Sequence, residues 1–252
     1  WHWDYVSGDA SCALANANVQ NPTVNRTFSG VANGTTSSAV SATFAPTVTD
    51  TATGASYQRD AVSTGNMSWQ NTIPAFSPVT NTYDSGSGDE AVPSGAVSLT
   101  ITAYGGGGPG GNGTDDGEGF QTTGGGGGSG AKSVKTISIA SGDWAGTLAY
   151  SVGGAAAAST ASGSLTNGSI SIAAGGGGGG NDTGGPGDNG SGGSGGSASG
   201  GDSNTSGNAG ANGIDGGAGG SGIDGIGGGG NGGFAGIGAT DGAGGQVVFA
   251  WT

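Results

Sequence analysis

Residues 97–108 have the sequence VSLTITAYGGGG, in which a strand pattern passes directly into a run of glycines. The apolar residues of this stretch alternate with polar ones, and they are Val97, Leu99, Ile101 and Ala103. Strict alternation predicts a half-buried β-strand. The glycines that follow cannot fill a core, and each loses more backbone freedom on folding than any other residue. If this region folds, backbone hydrogen bonds must hold the glycine runs together.

The same alternation of strand and glycine continues to the end of the chain. Of 65 glycines in 252 residues, all but eight follow residue 100. Strand patterns return at 148–152, 170–172 and 247–251. A chain that ends on a strand usually pairs its two ends, so we predict that residues 83–252 form a closed, independently folded unit.

Residues 1–82 follow a different pattern. They are rich in Thr, Ser, Ala, Val and Asn, without helical periodicity, and turn signals separate short strands predicted at 19–28, 38–44 and 45–50. This spacing is typical of a β-sandwich. Residues 69–78 contain two prolines and two large aromatic residues, which indicates a connector.

The charge balance excludes several kinds of partner. Four basic residues, Arg26, Arg59, Lys132 and Lys135, stand against 17 acidic ones, which gives a net charge of −13. Nucleic acids and anionic membranes attract basic patches, so we expect neither as a partner. No segment approaches the ~18 apolar residues of a membrane span, so no membrane insertion is expected. The single cysteine excludes an intrachain disulfide. Because the sequence begins at Trp1, we expect it to be part of a longer polypeptide.

Four structures compete to explain the glycine. Collagen requires glycine at every third position and abundant proline, but the chain has only seven prolines. A flexible linker does not explain the embedded strands. A calcium-binding nonapeptide β-roll fits residues 219–227 and, in part, 210–218, which would make Asp215 and Asp224 the metal ligands.

The fourth structure is polyglycine II, in which extended helices of three residues per turn pack side by side. Its geometry is that of polyproline II, and because glycine keeps its N–H, neighbouring helices can hydrogen-bond directly. Interior positions must then be glycine, and residues 191–197, SGGSGGS, show the three-residue repeat. This is the structure that we predict for the glycine-rich part of residues 83–252.

Two stretches resemble known families. Trp3–Ala10 (WDYVSGDA), Asn21–Val24 (NPTV), Phe28, Gly34–Thr36 and Val48–Thr51 (VTDT) resemble the Ig-like modules of tailed-phage tail proteins. The resemblance implies an N-terminally incomplete Ig-like β-sandwich and connector in residues 1–82.

The second resemblance covers residues 83–252. The strand ending at Tyr104, the run 105–108, the stretches 131–139 (AKSVKTISI) and 150–154 (YSVGG), and the closing GQVVFAW at 245–251 follow the order of glycine-rich C-terminal domains of phage tail-fibre and tail-tip proteins. The chain is also similar in principle to the polyglycine adhesins of T-even-type phages, although it lacks their fibre-attachment module. This resemblance implies all-β structure with packed polyglycine-II helices, and a place in the virion tail as a homotrimer with other tail proteins.

The sequence offers no catalytic constellation. Its only histidine is His2, so Ser–His and Cys–His chemistry has essentially no candidates. Neighbouring carboxylates, such as Asp89 and Glu90, have no predicted apolar pocket that would raise a pKa. We therefore predict a protein that is not an enzyme.

Recognition is the remaining function, and loops on a rigid scaffold are where binding residues collect. Aromatic residues beside acids and small polar groups suit a host glycan or the loops of an outer-membrane protein. The candidate receptor-binding residues are Asp115, Asp116, Glu118, Phe120, Trp144 and Phe234, and the loop 114–123 is the first candidate among the loops. For Trp144 and Phe234, capping of the glycine bundle is an alternative role.

The sequence thus predicts a non-catalytic phage adhesin fragment without a cofactor. The alternatives are a structural spacer or decoration module of the virion, and a calcium-dependent β-roll-like surface protein.

Overall fold

The computed structural model describes six strands within residues 1–75, and it describes residues 76–115, 121–144, 146–183, 188–213, 217–234 and 237–252. The chain divides into two compact units, Trp1–Ala75 and Phe76–Thr252. The strands in the described residues pair antiparallel, and a single turn of 3₁₀-helix lies at Ser141–Asp143. None of them forms a helix that is long and apolar enough to cross a membrane.

The first unit contains a four-stranded sheet and a separate two-stranded one. Its strands are β1 (His2–Gly8), β2 (Cys12–Ala15), β3 (Thr23–Arg26), β4 (Ala42–Thr49), β5 (Ser56–Gln58) and β6 (Val62–Ser63). Strand β4 pairs with β1, β5 and β6, and β2 pairs with β3. The prediction of two strands at 38–44 and 45–50 was wrong, because β4 runs through Phe44 and Pro46 without a break. The strand predicted at 19–28 is limited to β3 in the described residues.

The second unit contains two five-stranded antiparallel sheets. The strands are β7 (Val79–Tyr83), β8 (Ser87–Ala91), β9 (Ser98–Tyr104), β10 (Lys132–Ser138), β11 (Thr147–Ser151), β12 (Ser159–Leu165), β13 (Gly168–Ala174), β14 (Ala198–Ser199), β15 (Ser203–Thr205) and β16 (Gln246–Trp251). One sheet has the order β15-β10-β9-β16-β7, and the other has the order β14-β13-β12-β11-β8. We call them the β9 sheet and the β12 sheet.

A conventional apolar core lies between these two sheets. Every second side chain of β9 and β16 is fully buried, which confirms the alternation predicted from Leu99 to Ala103 and the strand predicted at 247–251. The prediction that Val97 shares this buried face was wrong, because Val97 precedes β9 and is 53% exposed. The facing sheet contributes Leu148, Ala161, Ile170, Ile172 and Ala174. The outward neighbours of these residues are mostly Ser, Thr and Ala.

Strand β16 closes the unit. It lies between β7 and β9, with Val248 opposite both Thr82 and Thr102, so the predicted pairing of the two ends is confirmed. The division between the units falls after Ala75 and not at the predicted 82/83, because β7 belongs to the β9 sheet.

The glycine-rich segments connect these strands and are held by backbone hydrogen bonds. The most enclosed is residues 122–131, here called the central segment, in which every residue is buried. Each N–H from Gly124 to Ala131 donates to a neighbouring segment at an N···O distance of 2.8–3.1 Å. The acceptor segment repeats every third residue. The N–H groups of 124, 127 and 130 donate to segment 227–233, those of 125, 128 and 131 to segment 175–181, and those of 126 and 129 to segment 208–211.

Three further segments donate to the carbonyl groups of the central segment. They are 105–111, 190–196 and 217–220. Adjacent members of the resulting set of six also bond to one another, for example Gly177 N–H to Gly106 and Gly210 N–H to Gly193. The central segment is therefore enclosed by a ring of six segments. At Gly126 a side chain does not fit, since a Cβ there would lie 2.1 Å from the Ala218 carbonyl oxygen.

Candidate functional site

Chain reversals gather at the end of the glycine-rich bundle that is farthest from the sheets. Segment 105–113 leaves β9, and the central segment returns to β10. Two hydrogen bonds link the ends of other segments to this place: Thr183 N–H donates to Asn112, and Gly190 N–H donates to Thr123. The distal tip is defined by the described residues Asn112–Asp115, Gln121–Thr123, Asn181–Thr183, Asp188–Asn189, Gly213, Gly217, Phe234 and Ile237.

The remaining reversals join the same end through the central segment. Gly217 N–H donates to Gly124, and Gly124 N–H donates to Gly233. Gly213 N–H donates to Gly190, which in turn bonds to Thr123. Four reversals thus begin and end within one hydrogen-bonded layer.

Threonine hydroxyl groups fasten two of these reversals together. Thr122 is buried, and its Oγ1 lies 2.9 Å from Thr114 Oγ1 and 3.0 Å from Thr183 Oγ1. The backbone N–H of Thr114 also donates to Thr122 Oγ1 at 3.1 Å. The hydroxyl cluster fixes the position of the chain on both sides of the loop that contains Asp115.

Asn112 links a third reversal to this cluster. Its N–H donates to Asp182 Oδ1 at 2.5 Å, and its side-chain Oδ1 accepts the Ala239 N–H at 3.4 Å. The first bond is charge-assisted and therefore stronger than a neutral one. A rigid scaffold of this kind presents loop side chains without a large ordering cost on binding.

The tip also exposes an apolar pair. Phe234 and Ile237 lie at the two ends of one reversal and are 40% and 68% exposed. They form an isolated bridge in which Ile237 N–H donates to the Phe234 carbonyl at 2.6 Å. Large exposed apolar side chains that are held by the backbone are typical of binding contacts.

The charges described at the distal tip are all negative. Both lysines of the second unit lie in β10, where Lys132 pairs with Asp224 at 2.6 Å and Lys135 with Asp202 at 3.3 Å. The ionisable residues described at the tip are all acids, namely Asp115, Asp182 and Asp188. The tip therefore combines an apolar pair with a negative field.

The predicted receptor-binding residues fall into three groups. Asp115 and Phe234 lie at the distal tip, and Asp115 is exposed in a bridge with Gln121. Asp116, Glu118 and Phe120 lie outside the described residues. Trp144 lies beside the sheets.

Trp144 is not the exposed turn residue that the sequence indicated. Its ring packs against the core, and its indole N–H donates to the Ala96 carbonyl at 3.1 Å.

The neighbouring Asp143 accepts hydrogen bonds from the Ala140 N–H and from both the N–H and hydroxyl of Thr166. Burial raises the pKa of the Asp143 carboxyl, but these hydrogen bonds more than offset that effect and hold the pKa below its ordinary value.

Of the two predicted calcium ligands, Asp215 lies outside the described residues and Asp224 lies in a tight turn. Asp224 and Gly225 have φ angles of 53° and 81° between the paired residues Ile223 and Ile226. Positive φ at both central positions is typical of a type I′ turn, for which Asp-Gly is a preferred sequence. Among the described residues, no group of three or more metal-ligating side chains occurs.

The Asp224 carboxylate contacts two side chains of the β9 sheet. Its Oδ2 accepts hydrogen bonds from Lys132 Nζ at 2.6 Å and from the Tyr104 hydroxyl at 2.8 Å. The Lys132 bond, followed by the Tyr104 bond, lowers the pKa of Asp224, and the same contact raises the pKa of Lys132. This ion pair holds the turn Ile223–Ile226, at the end of the glycine bundle near the sheets, against the β9 sheet.

Four residues order the tip. Sequence reasoning included Thr114 and Thr122 in the candidate loop 114–123 without giving them a role, and it missed Asn112 and Thr183. The available signal was their position, because each is within a few residues of the end of a glycine run. A change from glycine to Asn, Asp and Thr marks the place where packed segments end and polar side chains are again accommodated.

No protein-family model matches the chain, and no curated protein matches it.

Proposed function

We propose that this protein is part of a phage tail fibre or tail tip, and that its distal tip binds a receptor on the host cell surface. The observation that carries the proposal is the gathering of four chain reversals at one end of a rigid bundle, where an exposed apolar pair lies beside acidic residues. Binding surfaces on rigid scaffolds are built in this way. The proposed activity is adhesion without catalysis.

The proposal includes polyglycine II as the structure of the bundle. Hydrogen-bond donation from the central segment changes direction with a period of three residues, and a helix with three residues per turn has this period. The enclosing ring of six segments is the packing expected for such helices. Each hydrogen bond contributes only about 0.5–1.5 kcal/mol net, so the bundle derives its stability from many of them.

The charge and the apolar pair of the distal tip restrict the classes of receptor that it can bind. An anionic polysaccharide would be repelled by Asp115, Asp182 and Asp188, whereas a neutral glycan or an outer-membrane protein loop would not. Phe234 and Ile237 supply the apolar area that either partner would cover. The proposed partners are therefore a host glycan of low charge or an outer-membrane protein.

The proposed place of the molecule is the virion tail. It rests on the order of strands and glycine runs that resembles tail-fibre domains, and on the Ig-like sequence in residues 1–82. Contact with other tail proteins belongs to the same proposal.

The proposal is tested by the binding of the fluorescently labelled full chain to a panel of bacterial cells, with and without a calcium chelator. The double variant Phe234→Ala/Ile237→Ala should reduce saturable binding to a responsive strain at least about tenfold, because truncating a hot-spot side chain at the centre of an interface costs about 2 kcal/mol or more. The control is Val97→Ala, which removes a side chain that is 53% exposed and lies beside β9.

The results of this experiment distinguish receptor binding at the tip from binding elsewhere, from calcium-dependent binding and from a structural role. Binding that depends on Phe234 and Ile237, and not on Val97, supports the tip as the receptor site. Binding that neither variant changes would place recognition elsewhere. Loss of binding in chelator would favour the calcium-dependent alternative, and the absence of binding to every strain would favour a structural module of the virion.

A further inference from the structure

The two sheets of the second unit have four edges, and three of them are protected. On one side the edge strands β14 and β15 have two and three residues, and the Ser133 hydroxyl ties them together through Ser199 and Asn204. On the other side, β8 carries the exposed charge of Asp89 at its centre. Short strands and edge charges are devices that prevent pairing with another chain.

The fourth edge, β7, has none of these devices. Its sequence, Val79-Thr80-Asn81-Thr82-Tyr83, contains no charge, proline or glycine, and consists mostly of residues that favour strands. One edge of β7 pairs with β16 along its whole length. In the part of the chain that the structure describes, no strand pairs with the other edge.

The distribution of charge favours a second copy of the chain as the partner of the free edge of β7. Two copies of a chain with a net charge of −13 repel each other over most of their surfaces. The outer face of the β9 sheet next to this edge is uncharged, with Thr80 and Thr82 in β7 and Val248 and Ala250 in β16. Along Val79–Tyr83 itself, a second copy can therefore approach without bringing like charges together.

The sequence of β7 is also complementary to itself. In an antiparallel pair centred on Asn81, Thr80 of each copy lies opposite Thr82 of the other, and Val79 lies opposite Tyr83. Threonine pairs and aromatic–β-branched pairs are among the favourable cross-strand combinations. Val79 is 39% exposed and is thus available for this contact.

We propose that β7 pairs with β7 of a second copy, so that two β9 sheets join across a two-fold axis into one continuous ten-stranded sheet. The interface consists of one pair of five-residue strands and belongs to the small, reversible class. This contact is independent of receptor binding at the distal tip. It also differs from the three-fold assembly expected for tail fibres, and the measured mass distinguishes the two.

The test is the mass of the full chain by analytical ultracentrifugation up to a concentration of about 100 µM, in the range suited to a weak interface. The wild type should form a dimer. The variant Thr80→Lys/Thr82→Lys should be monomeric, because each introduced lysine faces another across the axis. Mixing it with Thr80→Glu/Thr82→Glu should restore a dimer that contains one copy of each, since every pair then has opposite charges.

The matched control is Thr147→Lys/Ala149→Lys, which places two exposed lysines on the interior strand β11 and should leave the dimer intact. Circular dichroism verifies that every variant is folded. A monomeric wild type, an assembly that survives Thr80→Lys/Thr82→Lys, or failure of the Lys and Glu variants to associate would each overturn the proposal.

Discussion

Gly177 and Gly179 belong to one run of glycines, but their surroundings differ. A Cβ on Gly177 would lie 2.0 Å from the Gly128 carbonyl oxygen, whereas the nearest atom to a Cβ on Gly179 is 3.6 Å away in Pro109. Gly177→Ala must move the backbone of the central segment, so we expect it to lower the free energy of unfolding by at least about 3 kcal/mol. Chemical denaturation of the full chain measures the loss.

Gly179→Ala is the control for this effect. The added methyl group makes ordinary contacts and restricts the unfolded chain, so the expected change is a gain of at most about 1 kcal/mol. Equal effects of the two substitutions would mean that the close backbone packing around Gly177 does not exist in solution.

A buried carboxylate joins three strands at the open side of the two sheets. Glu90 in β8 is 3% exposed, and it accepts hydrogen bonds from Asn81 at 2.7 Å, Tyr83 at 2.6 Å and Trp251 at 2.8 Å. Glu90→Ala leaves these donors without their acceptor, so we expect a loss of about 3 kcal/mol or more in unfolding free energy. Glu90→Gln keeps the size and an acceptor, and should cost less. A smaller effect of Ala than of Gln would contradict this role.

The same contact makes β7 sensitive to high pH. The hydrogen bond to Glu90, together with burial and the negative charge of Glu90, raises the pKa of Tyr83 from 10.0 to about 12. Because folding raises the pKa of Tyr83, the protonated Tyr83 hydroxyl stabilises the folded state. This contribution is complete below pH 10 and is lost as the pH rises towards 12. Burial, followed by the hydrogen bond to Asp224, also raises the pKa of Tyr104, so ultraviolet titration should show more than one late-titrating tyrosine. Glu90→Gln should shift only the Tyr83 titration towards 10. An unchanged titration would show that Glu90 is not the cause.

The central segment provides a test of the bundle itself. Its N–H groups from Gly124 to Ala131 all donate hydrogen bonds and are buried. We therefore expect them to exchange with deuterium as slowly as the N–H groups of β9, because both require opening of the unit. Hydrogen-exchange mass spectrometry of the full chain measures this directly. Complete exchange within seconds would identify these residues as a flexible linker instead.

Periodicity predicted single strands better than it predicted their assembly. Alternation located the buried faces of β9, β11 and β13 because each strand has one face on an apolar core. That Leu99 and Ile170 belong to opposite sheets of one sandwich does not follow from alternation, since the partner of a strand depends on distant residues. The strand β7 was missed as part of this unit because its side chains, in an exposed edge strand, show little apolar alternation.

At the scale of the whole molecule, the candidate site is a product of chain reversals that are far apart in the sequence. Asp115 and Phe234 were predicted as binding residues because they are unusual residues among glycines. Thr122 and Thr183 were not, because a hydroxyl cluster forms only when packed segments end at the same level. Trp144 has the same local appearance as a loop aromatic, but its ring completes the core, and no local pattern separates the two cases.

The residue at which the second unit begins determines which fragment of the chain should fold on its own. β7 supplies one neighbour of β16, and through Asn81 and Tyr83 it supplies two of the three donors to Glu90. The fragment 76–252 should therefore fold and unfold cooperatively, whereas 84–252 should lose several kcal/mol and expose the second edge of β16, with aggregation as the consequence. Thermal unfolding and light scattering of the two fragments measure the difference. If 84–252 were as stable as 76–252, the unit would begin after Tyr83, and β7 would be a connector whose pairing with β16 contributes nothing to the fold.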